Sequence, residues 1–522
     1  MFKKFYKYKI SQNIKDLVKK NFFLKKKKKK NKGLIIVEFN HWAHFHLSSL
    51  YLLNSLIKIY NSKIIAFYNN CYLDRYMNIG LLKKLQIFFL KILKLKSFKI
   101  YEHLQCSDLI YPNLSKKNII NSNKIFLKII KSLNSKQDIL KIRISKIKIG
   151  DLIYDSYLKR YKQITINHNS VEFRSYLKLF TDLFIFWENF FKTHKVNSVI
   201  TSHSVYSCGV LARIALKRNI KVFTPNVNFL YQLNKKQHTT DIEFFKFKSD
   251  FKKYFKKTKK DCLLKGKQSI EKRFEGNFDK NIFWSANNTY KKKVTKNNIL
   301  KKKGFNILIA AHSFSDAPHI YGENIFPDFK EWLYYLGNLS NKTNYNWYIK
   351  DSPDYPESNK IFIKELIKVF PKIKEIPSDT SHHFLKKKVN LLLTCYGTIA
   401  HEYAYFGIPV INSSINNPHV NYNFCFHPEN EKNYERLILN AKNLKIKINK
   451  KEIFEYVFMK YVLNKSGYLI DLNKFFKENS YNDLFNFKLY EFFLKNFNQD
   501  NHDIMVKKFD DFVKSKKYMY KN

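Results

Sequence analysis

The chain has 522 residues, and its 96 Lys and Arg against 42 Asp and Glu give a formal net charge of +54. A hydrophobic content of 45%, with 48 Phe and 35 Tyr, excludes a globally disordered chain, and the length suits two domains plus an appendage. No apolar run is long enough to span a bilayer, since even Ile87 to Leu95 is broken by Lys91 and Lys94, and the six cysteines form neither a CxxC pair nor a zinc spacing.

Such a charge fits three kinds of partner: a nucleic acid, an anionic membrane surface or a phosphorylated substrate. An abundance of Lys, Asn, Ile, Phe and Tyr also follows from a coding sequence rich in A and T. The lysines are spread rather than striped, and no RRM, KH, helix-turn-helix or zinc-finger signature is visible, so no specific nucleic-acid partner is expected. Scattered cysteines predict a reduced, cytoplasmic setting. No apolar segment of signal-peptide length precedes Lys25, so no secretory signal is expected.

Residues 1–32 end in the run Lys25 to Lys30, which self-repels and reads as a mobile basic arm; Phe2, Phe5, Tyr6, Phe22 and Phe23 among its lysines suit a segment lying on anionic lipid. The first strand is expected over Gly33 to Phe39, followed by a loop Asn40 to His46, a helix from Leu47 to Tyr60 and a strand Lys63 to Tyr68. This is the opening of a doubly wound sheet. Residues 72–145 look helical and basic, with Leu81, Leu82, Leu85, Phe88 and Phe89 at helical spacing, read as core packing. A second series follows, with strands Val196 to Thr201 and Ile220 to Phe223 around a helix Val205 to Arg218.

Residues 235–303 are polar and weakly periodic, which predicts a connecting segment. A new βα series starts at Phe305 to Ala311 and continues through Trp347 to Lys350, Glu365 to Phe370 and Leu391 to Thr394, ending at Pro409 to Asn412. The expected organisation is therefore α/β: a basic arm (1–32), an N-terminal Rossmann-like domain (33–234), a connection (235–303), a C-terminal Rossmann-like domain (304–450) and a helical tail (451–522).

Four corners lie just beyond expected strands, where open α/β sheets bind ligands. In Asn40 to His46, the histidines 41, 44 and 46 with Glu38 suggest a base, an acid or a metal cluster, but a strand-to-loop run cannot aim all three inward, so no metal site is expected. The corner Thr201-Ser202-His203-Ser204 is the second. At Ala311 to Asp316, His312 reads as a phosphate or base contact and Asp316 alternatively as a cap of the next helix. In Tyr396-Gly397-Thr398, the glycine allows close backbone approach, Thr398 can cap the helix that follows and Glu402 sits one turn in; the alternative is a plain βαβ turn. Beyond the strand near Ile376, Ser378-Asp379-Thr380-Ser381-His382-His383 offers hydroxyls for a second phosphate, or ordinary N-capping.

Taken together, His-x-Phe-x-Asp at His312, Phe314 and Asp316, Trp-x-x-Lys at Trp347 to Lys350, the loop Ser378 to Ser381 and Gly-Thr-x-x-His-Glu-x-x-x-x-Gly-x-Pro at 397–409 resemble bacterial GT-B glycosyltransferases of the capsule and surface-polysaccharide type. The segment Lys148 to Tyr157 is similar to one in uncharacterised members of that group. The resemblance spans residues 300–430. It implies two Rossmann-like domains facing across a cleft, no cofactor, no metal and a nucleotide-sugar co-substrate held mainly by the C-terminal domain. By that resemblance Gly397 and Thr398 meet donor phosphate, Glu402 the ribose or sugar, and Lys350 neutralises phosphate. Ser378, Thr380, Ser381, His382 and His401 complete the donor-binding set. Where relatives often carry Lys-x-His-Pro, this chain has Lys350-Asp351-Ser352-Pro353, a departure that leaves the donor class open.

The first-domain loop then approaches the acceptor, with His41 or His44 as base and His312 and Asp316 as further catalytic candidates. The expected partners are a nucleotide-activated sugar, a lipid-linked or polysaccharide acceptor and an anionic membrane surface, with the protein cytoplasmic and peripheral at the inner membrane face. Alternatives are a CDP-glycerol type polyol-phosphate transferase using His312 with His401 or His419, a nucleotide-sugar 2-epimerase, a nucleic-acid-binding module and a catalytically dead assembly partner.

Overall fold

A computed structural model describes residues 2–22, 33–68, 81–82, 85, 88–89, 92–93, 99–225, 229–276, 290, 300–352, 355–463 and 467–520. The chain divides into two compact units: the first comprises residues 1–156, 168–240 and 464–522, and the second 157–167 and 241–463.

The first unit is built on a sheet of six strands: β1 (Leu34–Phe39), β2 (Lys63–Tyr68), β3 (Leu109–Ile110), β6 (Val196–Ile200), β7 (Lys221–Pro225) and β8 (Leu230–Leu233), while β4 (Arg143–Ile144) and β5 (Ile147–Lys148) form a separate antiparallel pair. The order is β3-β2-β1-β6-β7-β8, parallel except that β8 runs antiparallel to β7. β1 is buried over Ile35–Phe39, which is why it reads as a continuous apolar run. The helix Ala43–Tyr60 packs against Gln499–Lys514, with Tyr51 hydrogen-bonded to His502 Nδ1 at 3.0 Å. Residues 518–520 then lie along β8: the Gln232 N–H donates to Tyr518 O (2.7 Å) and the Tyr520 N–H to Leu230 O (2.8 Å).

The second unit holds a wholly parallel sheet of β9 (Asn306–Ala310), β10 (Asn346–Lys350), β11 (Ile373–Ile376), β12 (Leu391–Thr394) and β13 (Val410–Asn412), in the order β11-β10-β9-β12-β13. Ile307, Ile309, Trp347, Ile349, Leu391 and Leu393 form its core with Trp332, Leu336, Phe362 and Ile363 from the covering helices. Both units are therefore Rossmann-like α/β layers, as the alternation of apolar runs and amphipathic segments predicts.

Several expectations are corrected. The helix after β1 begins at Ala43 rather than Leu47, so His44 and His46 are helical and not in a loop. The end of the arm is packed: Ile14, Val18 and Phe22 are buried, with the Phe22 ring edge-on to Tyr51 and His502, while Phe23 and Lys25 to Lys30 lie outside the described residues. Part of the expected connection belongs to the second unit, where the helix Lys259–Phe274 packs on Lys450–Val457. Gly266 permits that contact, since a Cβ there would lie 2.1 Å from Phe454 O. The expected tail is divided, residues 451–463 going to the second unit and 467–520 to the first. Glu365 to Phe370, a member of the expected βα series, is the end of the helix Glu357–Val369 with its C-cap. Leu81, Leu82, Leu85, Phe88 and Phe89, expected in the core, are 50–82% exposed. Cys208 is disulfide-bonded, a departure from the expected reduced set, whereas Cys106, Cys262, Cys395 and Cys425 are free.

Candidate functional site

In the second sheet the chain leaves β9 toward β10 and β11, then returns to β12 on the other side of β9. The switch point thus lies between the carboxyl ends of β9 and β12, where such sheets open a crevice. His312, just past β9, crosses it: its Nε2 accepts from the Cys395 N–H at 3.2 Å and sits 3.0 Å from Thr394 Oγ1. A backbone N–H only donates, so Nε2 is the unprotonated nitrogen and the proton resides on Nδ1. The ring stacks on Phe329 (5.1 Å, 8°), and burial lowers its pKa to about 3. This histidine is a neutral clamp across the switch point.

The turn after β12 is drawn to the same group. Gly397 N–H donates to Thr394 Oγ1 at 3.3 Å, and a Cβ on Gly397 would lie 2.9 Å from that oxygen and 3.4 Å from His312 Cε1. Its lack of a side chain is therefore required by the chain's own corner, whatever else approaches. Thr398, expected as a cap, has helical backbone (φ −56°, ψ −28°) and makes no side-chain cap hydrogen bond to the helix Ile399–Tyr405. Tyr396, Gly397 and Thr398 remain partly exposed. Gly407 ends the unit with φ +81°, while Ile408 N–H reaches Tyr403 O at 3.2 Å.

Lys350 is buried at the end of β10, and its Nζ donates to Ser378 O (2.8 Å) and Asp351 O (3.2 Å). Desolvation lowers its pKa to about 8. It ties the β10 and β11 loops together. Asp351 is buried with Oδ2 unpartnered, and burial raises its pKa to about 6. Asn359, which sequence reasoning missed, donates to His312 O (2.7 Å) and Asp351 Oδ1 (3.1 Å) and accepts from the Phe314 N–H (3.1 Å). Its only sequence signal is an amide one turn into a helix that starts after Pro356.

Ser378 is half-buried, Thr380 is buried with Oγ1 unpartnered, and Ser381 caps the short helix His382–Leu385 by accepting from the His383 N–H at 3.2 Å. His382 is buried against Tyr403 OH (Nδ1 at 2.8 Å), its pKa held well below normal by burial and then by Lys350 and Arg273. His401 Nδ1 lies 3.2 Å from His419 Nε2, and burial lowers the His401 pKa to about 4. The paired histidines of the polyol-phosphate reading thus face each other in the interior, apart from His312's own bonds.

Two site assignments are corrected. Glu402, expected to reach a sugar hydroxyl, is 1% exposed; Arg273 forms a close ion pair with Oε1, and Tyr290 OH donates to Oε2 at 3.0 Å. Both partners come from the segment read as a connection. Asp316 lies on the surface, its side chain 52% exposed and paired with Lys159 at 3.1 Å. An exposed pair of this kind contributes about 0–1 kcal/mol.

The first sheet has its own switch point, between β1 and β6. There the buried Glu38 accepts from Thr201 Oγ1 (2.8 Å), the Ser202 N–H (2.6 Å) and Ser202 Oγ (2.7 Å). His41, two residues past β1, is exposed. His44 is buried with both ring nitrogens unpartnered, stacked on Trp42 at 5.9 Å, and its pKa falls to about 3 through burial and then His46 and His203. His46 donates from Nε2 to Asn40 O (2.9 Å) and accepts from Tyr490 OH, so it is structural. Among the described residues, no group of three or more His, Cys, Asp or Glu is placed to hold a metal ion.

No protein-family model matches the chain, and no curated protein matches it. Among solved structures it is similar to KpsC of Thermosulfurimonas dismutans, a beta Kdo 2,7 transferase, at 10% identity over 52% of this chain and 79% of that one (TM-score 0.30). It is also similar to a glycosyltransferase of Rickettsia africae, at 14% identity over 90% and 100% (TM-score 0.25). A third is the UDP-GlcNAc 2-epimerase of Neisseria meningitidis, at 10% identity over 85% and 98% (TM-score 0.22).

Proposed function

We propose that this chain is a glycosyltransferase that moves a sugar from a nucleotide-sugar donor to a growing surface polysaccharide, capsule or lipopolysaccharide. The observation that carries the reading is the partly exposed turn Tyr396–Thr398 at the switch point of the second sheet, backed by a neutral imidazole instead of a carboxylate. The motif resemblance over residues 300–430 supports it.

In this reading the donor phosphates lie against the backbone of Gly397 and Thr398, and Lys350 stabilises them from behind the β10 and β11 loops. Ser378, Thr380, Ser381 and His382 line the second loop of the same site. His401 and Glu402 hold the helix Ile399–Tyr405 in place, Glu402 through Arg273 and Tyr290. His41, the exposed member of the first-unit histidines, activates the acceptor hydroxyl; a lipid-linked or polysaccharide acceptor approaches from that unit's strand ends. His44, buried and neutral, shapes the wall beside it.

The test is a panel of UDP-, GDP-, CMP- and ADP-sugars with CDP-glycerol, read by thermal shift and by nucleotide release with and without a polysaccharide acceptor. One nucleotide sugar should raise the melting temperature and release nucleotide only when acceptor is present. Gly397→Ala should weaken that binding at least about tenfold, because the new methyl displaces Thr394. Turnover without acceptor would point to a 2-epimerase, and turnover of CDP-glycerol alone to a polyol-phosphate transferase.

A further inference from the structure

Ser115 caps the helix Lys116–Lys131 by accepting from the Asn118 N–H at 3.3 Å, and one side of that helix packs against the helix Val171–Thr193. Ser122 and Ile129 are buried on that side, with Ser122 Oγ donating to the buried Asp182 Oδ1 at 2.5 Å. At the helical repeat the opposite side is an arc of roughly 120° that holds Lys116, Lys117, Lys124, Lys128 and Lys131 together with Ile120 and Leu127. Every one of these residues is exposed. Ile120 and Leu127 are 59% and 55% exposed, two turns apart on the same outward stripe.

The composition of this arc says what covers it. Lys and Arg make up 96 of the 522 residues, so five lysines in seven positions exceed what the overall composition supplies. No Asp or Glu stands between Asp108 and Asp138, and Asp182, beneath the helix, is taken by Ser122 and Lys178, so the arc is positive along its length. A second copy of the same face is opposed by like-charge repulsion. A soluble polyanion would pair with the lysines and leave Ile120 and Leu127 in water. An anionic bilayer satisfies both features, because the two aliphatic side chains enter the acyl boundary while the lysine ammoniums, on long apolar stems, reach headgroup phosphates.

We propose that the exposed face of the helix Lys116–Lys131 seats the protein on an anionic phospholipid surface. The helix has 16 residues, about 24 Å, and lies along the interface with its buried side still held by the helix Val171–Thr193. Among the described residues, no helix is long and apolar enough to cross a membrane. The proposal is independent of the transfer reaction, and it supplies an apolar contact that Ile14, Val18 and Phe22 of the basic N-terminal segment do not, since those three are buried in the protein.

The full chain is incubated without nucleotide sugar with vesicles of phosphatidylcholine alone or mixed with phosphatidylglycerol, and the bound fraction is measured by sedimentation. Wild type should prefer the mixed vesicles. An Ile120→Gln/Leu127→Gln variant keeps the net charge, so it separates apolar insertion from general attraction to a basic protein; its partition should fall at least about tenfold. Lys124→Gln/Lys128→Gln should lower partition about fivefold per lysine. Lys507→Gln/Lys508→Gln removes the same charge from exposed positions of the helix Gln499–Lys514 and should lower it by no more than about twofold. Leu127→Trp supplies a reading that does not depend on the double variants folding: the emission it adds to that of wild type should shift to the blue on vesicles and be quenched by brominated acyl chains. The proposal is overturned by a wild type without preference for mixed vesicles, by equal partition of the Ile120/Leu127 variant and wild type, by equal losses from the two lysine pairs, or by unshifted added emission on bound protein. Retention on DNA or heparin that falls with Lys124 and Lys128 while vesicle binding does not would also overturn it, since the face would then serve a soluble polyanion.

Discussion

The two units bridge their switch points in the same place with different chemistry. In the first, Glu38 at the end of β1 accepts from Thr201 and Ser202 past β6. In the second, His312 past β9 meets Thr394 and the Cys395 N–H at the end of β12. Each bridge uses a threonine hydroxyl, but one partner is a carboxylate and the other a neutral imidazole. A phosphate nearing the first set of strand ends meets a negative group; one nearing the second meets none at that bridge and has Lys350 behind it. The proposed placement of the donor in the second unit rests on this difference in charge.

Acid should produce the largest effect and act on both units. His44 and His46 in the first and His312 and His401 in the second all have folded pKa values of about 3 to 4, below the ordinary 6.5, because burial disfavours the cation. The unfolded chain therefore binds protons first, so stability is intact above pH 6.5 and falls between pH 6.5 and 4. Each histidine contributes a loss of about 1.4 kcal/mol per pH unit, partly opposed by Asp351, whose raised pKa favours the folded state as pH drops through about 6. Melting temperatures from pH 7 to 5 should show the decline, and His312→Gln should flatten it by one histidine's share; an unchanged slope would mean that His312 titrates normally.

A smaller effect separates the two bridges. Glu38→Ala removes the acceptor of one buried and two half-buried donors, a cost of about 3 kcal/mol in denaturant unfolding. It should leave nucleotide affinity within about twofold at a temperature where the variant is folded. If affinity collapses with Glu38 rather than with Gly397, the donor belongs to the first unit. The smallest expected effect is that of Asp316→Asn, within about 0.5 kcal/mol in stability and without change in transfer rate, since that pair with Lys159 is exposed. A large loss of rate would restore Asp316 to the reaction.

The second sheet was legible because parallel strands covered on both faces read as apolar runs, and Leu391–Thr394 is buried at every position. The start of the helix at Ala43 was not, because its preceding residue Trp42 makes no side-chain cap and leaves no capping signature. Helical spacing at Leu81, Leu82, Leu85, Phe88 and Phe89 read as core packing, yet these side chains are exposed, since periodicity alone does not say whether a face is covered. Gly397 announced a close approach, yet the approaching atoms belong to Thr394 and His312. Glu402 was misjudged because Arg273 stands 129 residues upstream in a stretch whose polarity resembles a linker.

The return of residues 499–520 to the first unit bears on the order in which the chain acquires structure during synthesis. The helix over Ala43–Tyr60 and the edge of β8 receive their covering segments only after residues 241–463 have left the ribosome. The second unit, contiguous apart from residues 157–167, has most of what it needs earlier. An unfinished chain thus presents a folded C-proximal unit beside an N-proximal sheet with an open edge and an uncovered helix, and a truncation before residue 499 should expose that sheet to aggregation or chaperone capture.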